Sequence, residues 1–192
     1  MALFTKAGLA KVTIHKGLYE SAGSILHKAA LEFSEYKTYD IFISHSYSDA
    51  DEILKLKQTI EDMGFIMYVD WIEDAQLDRS KVNKETAKLL RSRMKQCKSL
   101  FFVTSVSSPD SRWMPWELGY FDALKQRVAI LPILESSTVT NEYKGQEYLG
   151  LYPYITKDRP KGGDKPTLWV HEDSNTYVIF SSWLKGSIPS KH

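Results

Sequence analysis

From Tyr39 onward the apolar positions of the chain switch between two periods. Tyr39-Asp40-Ile41-Phe42-Ile43-Ser44 is a short apolar run that predicts a strand. Ile53, Leu56, Ile60 and Met63 then recur at helical spacing, and Gly64 stands where a helix-ending glycine belongs. Phe65-Ile66-Met67-Tyr68-Val69-Asp70 predicts a second strand, followed by a polar loop. Ala87, Leu90, Met94 and Cys97 predict a second helix with Cys97 on its apolar face. Leu100-Phe101-Phe102-Val103-Thr104 predicts a third strand. A third helix is predicted from Pro115 to Lys125, with proline at its tolerated first position. Val128 to Leu134 predicts a fourth strand.

The order is β-α-β-α-β-α-β. Strands apolar on both faces, separated by amphipathic helices, belong to a parallel sheet covered on both sides. Right-handed crossovers make this a flavodoxin-like three-layer α/β sandwich. After Glu135 the pattern is less regular. Pro160-Lys161-Gly162-Gly163-Asp164 reads as a turn, and Leu168–His171 with Tyr177–Phe180 as a β-hairpin. Before the alternation begins, Leu18, Ala22, Ile25, Ala29 and Phe33 share one helical face, so a helix is expected from about 18 to 34. The arm before it carries Lys6, Lys11 and Lys16 and is expected to be irregular. The expected partition is thus 1–36 as arm and amphipathic helix, 37–184 as the main domain with a C-terminal elaboration, and 185–192 as a tail.

Composition narrows the function classes. The chain has 192 residues with 25 Lys+Arg against 24 Asp+Glu, a formal charge of +1, so no basic excess marks a nucleic-acid partner. The longest apolar run, Val128–Leu134, contains Pro132 and is far too short to span a membrane. No signal-peptide pattern opens the chain. Cys97 is the single cysteine, which excludes an internal disulfide or a cysteine-rich zinc site and fits a reducing, cytoplasmic location. There is no Gly-x-Gly-x-x-Gly, P-loop, His-Glu-x-x-His or Gly-x-Ser-x-Gly, which argues against an ordinary dehydrogenase, a P-loop nucleotidase, a zincin and a serine hydrolase. No metal site is expected.

In an open parallel sheet, ligands bind beyond the carboxyl ends of the strands. The first strand delivers Ser44, His45, Ser46, Tyr47, Ser48 and Asp49 there. The second delivers Asp70, Trp71 and Asp74; the third Ser105, Ser107 and Ser108, then Ser111-Arg112-Trp113-Met114-Pro115-Trp116-Glu117. Hydroxyls, an imidazole, indoles and a carboxylate suit a ligand with sugar hydroxyls, an aromatic base and a labile bond. Glu117 falls in the first turn of the third helix, where the helix dipole favours a carboxylate. A fixed anion there suits an oxocarbenium-like transition state, as in glycosidic cleavage; complementing the helix end is the plainer alternative. Met114 is the expected N-cap. Trp113 stands ready either to stack on a ring or to pack in the core. Residues 78–98 hold eight basic residues and two acids, read as the solvated face of the second helix, with Arg79 or Lys81 available to a phosphate. Cys97 reads as a packing residue.

These segments resemble a Toll/interleukin-1 receptor (TIR) domain. Tyr39–Ser46 is similar to that family's opening strand, Gly64–Asp70 to its second strand leading into the "BB" loop, and Ser99–Ser105 to its third. Ser111-Arg112-Trp113 with Trp116-Glu117-Leu118 is similar to the family's Ser-x-Trp-x-x-x-Glu-Leu segment. The match covers about residues 38–135. The resemblance implies a TIR fold carrying an N-terminal helical extension and a C-terminal hairpin-like addition. Its enzymatic branch cleaves the nicotinamide–ribose bond of NAD+ and releases ADP-ribose or a cyclic isomer. The essential Glu of that branch maps onto Glu117, and His45, Ser46, Tyr47, Asp70, Trp71, Asp74 and Trp113 become the expected nucleotide-binding set. NAD+ is then substrate, and no cofactor is implied. The implied partners are further copies of the chain, which complete the site through the BB loop, and a separate effector reached through the nucleotide product, as in Thoeris-type anti-phage defence. Two alternatives stay open: a non-catalytic TIR scaffold, and a nucleoside deoxyribosyltransferase-like enzyme using its Glu as nucleophile.

Overall fold

The computed structural model describes residues 1–14, 37–74, 77, 82–105, 111–135, 142–143, 145 and 147–192. The chain begins with a strand β1 (Phe4–Thr5) and a short helix α1 (Lys6–Ala10). Then follow β2 (Tyr39–Ser44), α2 (Ala50–Asp62), β3 (Met67–Tyr68), α3 (Asp70–Glu73), α4 (Lys84–Gln96), β4 (Cys97–Thr104), α5 (Met114–Lys125) and β5 (Val128–Leu134). The C-terminal part adds β6 (Tyr154–Asp158), β7 (Thr167–His171), β8 (Thr176–Ile179), α6 (Phe180–Trp183) and β9 (Ser190–Lys191). Turns of 3-10 helix occupy Tyr47–Asp49 and Glu147–Leu151.

One sheet runs through the molecule in the order β3-β2-β4-β5-β6-β7-β8-β9. The steps from β3 to β6 are parallel and those from β6 to β9 antiparallel. Alternate residues point to opposite faces, which sorts the core into two layers. Ile41, Ile43, Phe101, Val103, Ala129 and Leu131 meet Ile53, Leu56 and Ile60 of α2 together with Leu9 and Phe180. Phe42, Leu100, Phe102, Val128 and Ile130 meet Leu90 and Met94 of α4 and Met114, Leu118 and Phe121 of α5. This is the expected three-layer sandwich, and strand order reverses between β2 and β4.

Several local expectations change. The second strand pairs with β2 only at Met67–Tyr68, because Asp70 already opens α3, whose Asp74 N–H reaches the Asp70 carbonyl at 2.7 Å. Cys97 is not helical: its backbone is extended (φ −95°, ψ 144°) and it starts β4, opposite Tyr39. The N-cap of α5 is Trp113 rather than Met114. Residues 1–12 do not form an irregular arm. Phe4 and Thr5 pair in parallel with Ile133 and Leu134, the Ala2 and Lys157 backbones exchange two hydrogen bonds, and Phe4 is fully buried. The expected helix over 18–34 lies outside the described residues. The hairpin forms as read, with Val170 opposite Val178, but β6 also pairs antiparallel with β7, and Phe180 turns into α6. The sequence places the domain's end near Leu184; the chain returns beyond it, pairing Ser190 with Tyr177 and stacking His192 on that ring at 4.3 Å. Gly64 adopts φ +88° and ends α2 as the sequence indicates.

Candidate active site at the sheet's switch point

Ser44 is the last residue of β2 and lies two positions beyond Phe42, so it faces α4 and α5. On α5, Glu117 joins Met114, Leu118 and Phe121 on the buried side of the helix. The two meet: the Ser44 hydroxyl donates to Glu117 Oε2 at 2.6 Å, and both residues are 0% exposed. That length is typical of a hydroxyl bonded to a carboxylate. Burying an anion is costly without donors, and Ser44 supplies one while the first turn of α5 supplies the dipole. The Glu117 N–H itself closes on the Trp113 carbonyl at 2.9 Å.

A second hydroxyl–carboxylate pair lies on the other face of the sheet. Ser105 follows β4 and donates to Asp49 Oδ2 at 2.5 Å, and Asp49 caps α2. The two strands flanking the order reversal are therefore each tied to the acidic start of a helix, one per face. Ser44, Asp49, Ser105 and Glu117 were all legible as rim residues; which pairs with which was not, because pairing depends on the face each strand end presents.

The expected site residues divide between these faces. His45 is buried and its Nε2 accepts the indole N–H of Trp71 at 3.1 Å. Its Nδ1 faces the Ile43 carbonyl at 3.4 Å, so the proton sits on Nδ1. Asp70 is buried, accepts the Trp71 N–H at 2.8 Å, and lies 3.9 Å from His45 Nε2. His45, Asp70 and Trp71 thus form one group, with Trp71 packed toward the α2 layer. Ser46 is buried, and its carbonyl accepts from Asp49 N at 3.1 Å. Tyr47 is 78% exposed and the most accessible member of the set.

Asp74 is placed elsewhere. Its Oδ1 and Oδ2 take the Arg93 Nη2 and Nε donors at 2.7 Å each, and Oδ2 also accepts from the Tyr68 hydroxyl at 2.7 Å. It is 1% exposed and pins the end of α3 to α4. Burial and the Asp74 and Asp70 charges hold the Tyr68 phenol well above its ordinary range. Burial opposes the Arg93 charge, yet bonding to Asp74 carries the guanidinium above its usual value. Glu73 is tied similarly, by Tyr39 at 3.0 Å and Lys37 at 2.9 Å. Trp113 is 5% exposed, packed edge-on against Trp116 at 5.4 Å, so it is a core residue in this conformation. Arg79, Lys81, Ser107 and Ser108 lie outside the described residues.

Tyr143 escaped the sequence reading. It packs on Tyr154 of β6 at 6.1 Å, and its phenol, raised by burial, meets the Thr104 hydroxyl at the end of β4. Tyr143 joins the same apolar layer as Trp113 and Leu118, so the segment after β5 adds to the layer that α5 packs into. Among the described residues no group of three His, Cys, Asp or Glu is placed to hold a metal ion, and no helix is long and apolar enough to cross a membrane.

The parallel sheet with its order reversal, and an acid at the start of α5 beneath that reversal, define a TIR-type α/β domain. The sequence model of the family described as "Thoeris protein ThsB, TIR-like domain" matches residues 42–139. The chain is 50% identical over 192 residues to a protein of Bacillus cereus (strain MSX-D12) named "Probable 3' cyclic ADP-D-ribose synthase ThsB'", covering 96% of this chain and 99% of that protein. It is 38% identical over 85 residues to the "Putative cyclic ADP-D-ribose synthase TIR2" of Cytobacillus dafuensis, covering 44% of this chain and 22% of that longer protein. The chain belongs to the ThsB family of Thoeris TIR-like proteins.

Proposed function

We propose that the chain cleaves the nicotinamide–ribose bond of NAD+ and converts the remainder to a cyclic ADP-ribose isomer that signals in anti-phage defence. One observation carries the reading: a carboxylate at the start of α5, fixed beneath the sheet's order reversal by Ser44, in a chain half identical, nearly end to end, to a relative named as a cyclic ADP-ribose synthase.

In this mechanism Glu117 accepts hydrogen bonds from ribose hydroxyls and stabilises the positive charge that grows at the anomeric carbon. The C–N bond breaks and its electron pair leaves with the pyridine nitrogen. Nicotinamide departs neutral, so no strong general acid is required. A hydroxyl of the adenosine ribose then attacks the anomeric carbon and gives its proton to solvent, closing the ring; water in its place gives linear ADP-ribose. Tyr47, Ser46 and the His45–Asp70–Trp71 group hold the dinucleotide from the rim.

Glu117 and Trp113 are enclosed in the single chain, at 0% and 5% exposure. Substrate reaches the carboxylate only when the surrounding rim moves, which fits a site completed by association with another copy of the chain. The product acts on a separate effector protein in the cytoplasm. The same enclosure is the observation that favours the second reading, a TIR scaffold that never admits NAD+.

Concentrated protein is incubated with NAD+ and nicotinamide is followed by chromatography, beside Glu117→Gln. Release by the wild type and loss of at least about a hundredfold in the variant is the expected result. Absence of release at every concentration, including conditions that force assembly, supports the scaffold instead.

A further inference from the structure

We infer that Ser44 is a positioning residue for Glu117. The inference rests on the NAD+-cleaving reading for its kinetic consequence, and on geometry alone for its effect on the carboxyl group. Ser44 ends β2, where its backbone is paired with Phe102 of β4, while β3 pairs two and three residues earlier, at Phe42 and Ile41. Its Cβ therefore has no freedom to drift. The hydroxyl bonds Glu117 Oε2 at 2.6 Å with no water between, since both residues are fully enclosed. A serine hydroxyl has one proton to give. Given to Oε2, it fixes that oxygen and with it the plane of the carboxylate.

This serves two purposes. It sets the direction from which the carboxylate faces a ribose, and a misplacement of about 1 Å costs on the order of a hundredfold in rate. It also stabilises the charged form, because a donor to a carboxylate lowers that group's affinity for a proton. The ordered strand carries the donor and the helix carries the acid, so the packing of α5 on the sheet delivers the pair without reliance on the loops. The adjoining elements carry further titratable or charged groups, each engaged elsewhere: Asp49 with Ser105 on the opposite face of the sheet, His45 with Trp71 and Asp70, Arg93 with Asp74, Arg91 over the Trp116 ring, Asp122 with Tyr152, and Lys125 with the Lys95 and Cys97 carbonyls. They are common to wild type and variant, so a difference between the two isolates the serine.

The test uses the full-length chain as wild type, Ser44→Ala, Ser44→Thr and Ser44→Cys, with Glu117→Gln as control. The Glu117 carboxyl is titrated by 13C NMR of glutamate-labelled protein, and kcat/KM for NAD+ is measured against pH. Expected for Ser44→Ala is a carboxyl titration raised by about one pH unit. The acid limb of the rate profile moves up with it, and kcat/KM falls about tenfold or more on the plateau. Ser44→Thr keeps the hydroxyl and keeps the wild-type titration. Ser44→Cys, a poor donor, shifts in the same direction as alanine and decides the matter if alanine does not fold. A Glu117 titration unchanged in both Ala and Cys variants overturns the inference. If Glu117→Gln cleaves NAD+ at the wild-type rate, the functional reading fails separately, and the NMR titration still decides the role of Ser44.

Discussion

Trp71 donates its indole N–H to His45 Nε2 across 3.1 Å, joining the start of α3 to the segment that follows β2. The bond fixes the imidazole tautomer, because Nε2 must accept while Nδ1 keeps its proton toward Ile43. The first residues of the loop after β3 are thereby held against the strand that carries Ser44.

Removing either partner loosens that connection. Trp71→Phe and His45→Ala each lower stability, and the double variant loses less than their sum. A thermodynamic cycle from denaturant unfolding is expected to give a coupling of about 1 kcal/mol. Additive effects, with no coupling beyond error, contradict the bond.

The Asp74–Arg93 pair is the stronger anchor. Its side chains are only 2% and 6% exposed, and both carboxylate oxygens are engaged. Arg93→Met leaves a buried carboxylate with only Tyr68 among these donors, so unfolding free energy falls by about 3–5 kcal/mol. Replacing both residues, as Asp74→Asn with Arg93→Met, costs less than Arg93→Met alone. Urea unfolding measures both, and a double variant weaker than the single would refute the assignment.

His171 gives the C-terminal sheet a pH dependence. Burial lowers its pKa, while its Nδ1–H donates to the Asp173 carbonyl at 3.2 Å and its Nε2 meets the Thr156 hydroxyl at 2.9 Å. The unfolded chain therefore binds the proton more readily than the folded one. The stabilising contribution is complete above the unfolded value of about 6.5 and shrinks as pH falls below it. The melting temperature should drop between pH 7 and pH 5 in wild type. Part of that drop is expected to vanish in His171→Gln, and equal pH slopes in the two proteins would exclude this source.

Cys97 lies at the start of β4, fully buried, and burial pushes its thiol far above the range in which thiolates form. Native protein should resist a thiol-reactive chromophore at pH 8, and denatured protein should react with one equivalent. Rapid native labelling would show that β4 opens locally.

The alternation of strand and helix from Tyr39 to Leu134 was readable because each element carries its own period. Glu117 was readable as well: its place in the first turn of α5 depends only on spacing and on the proline that opens the helix. What escaped were relations between distant segments. Phe4 looked like part of a loose arm because a two-residue strand has no period, and it finds its partner only at Ile133 and Leu134, the end of β5 that β6 leaves unpaired. Cys97 continued a helical spacing by coincidence, and the demand of β2 for a hydrogen-bonded neighbour drew it into β4 instead. Asp74 resembled a rim carboxylate until Arg93, nineteen residues on, claimed both of its oxygens.

The sequence by itself determined the parallel α/β sandwich and the presence of an acid at the start of its third long helix, since local periodicity and helix-end chemistry act over a few residues. Tertiary structure alone decided that this acid faces Ser44, that Asp49 faces Ser105 on the opposite side, and that Glu117 is closed from solvent in the single chain. Those outcomes depend on which face each strand end presents and on how closely a helix seats on the sheet, and both are set by packing between segments 56 and 73 residues apart.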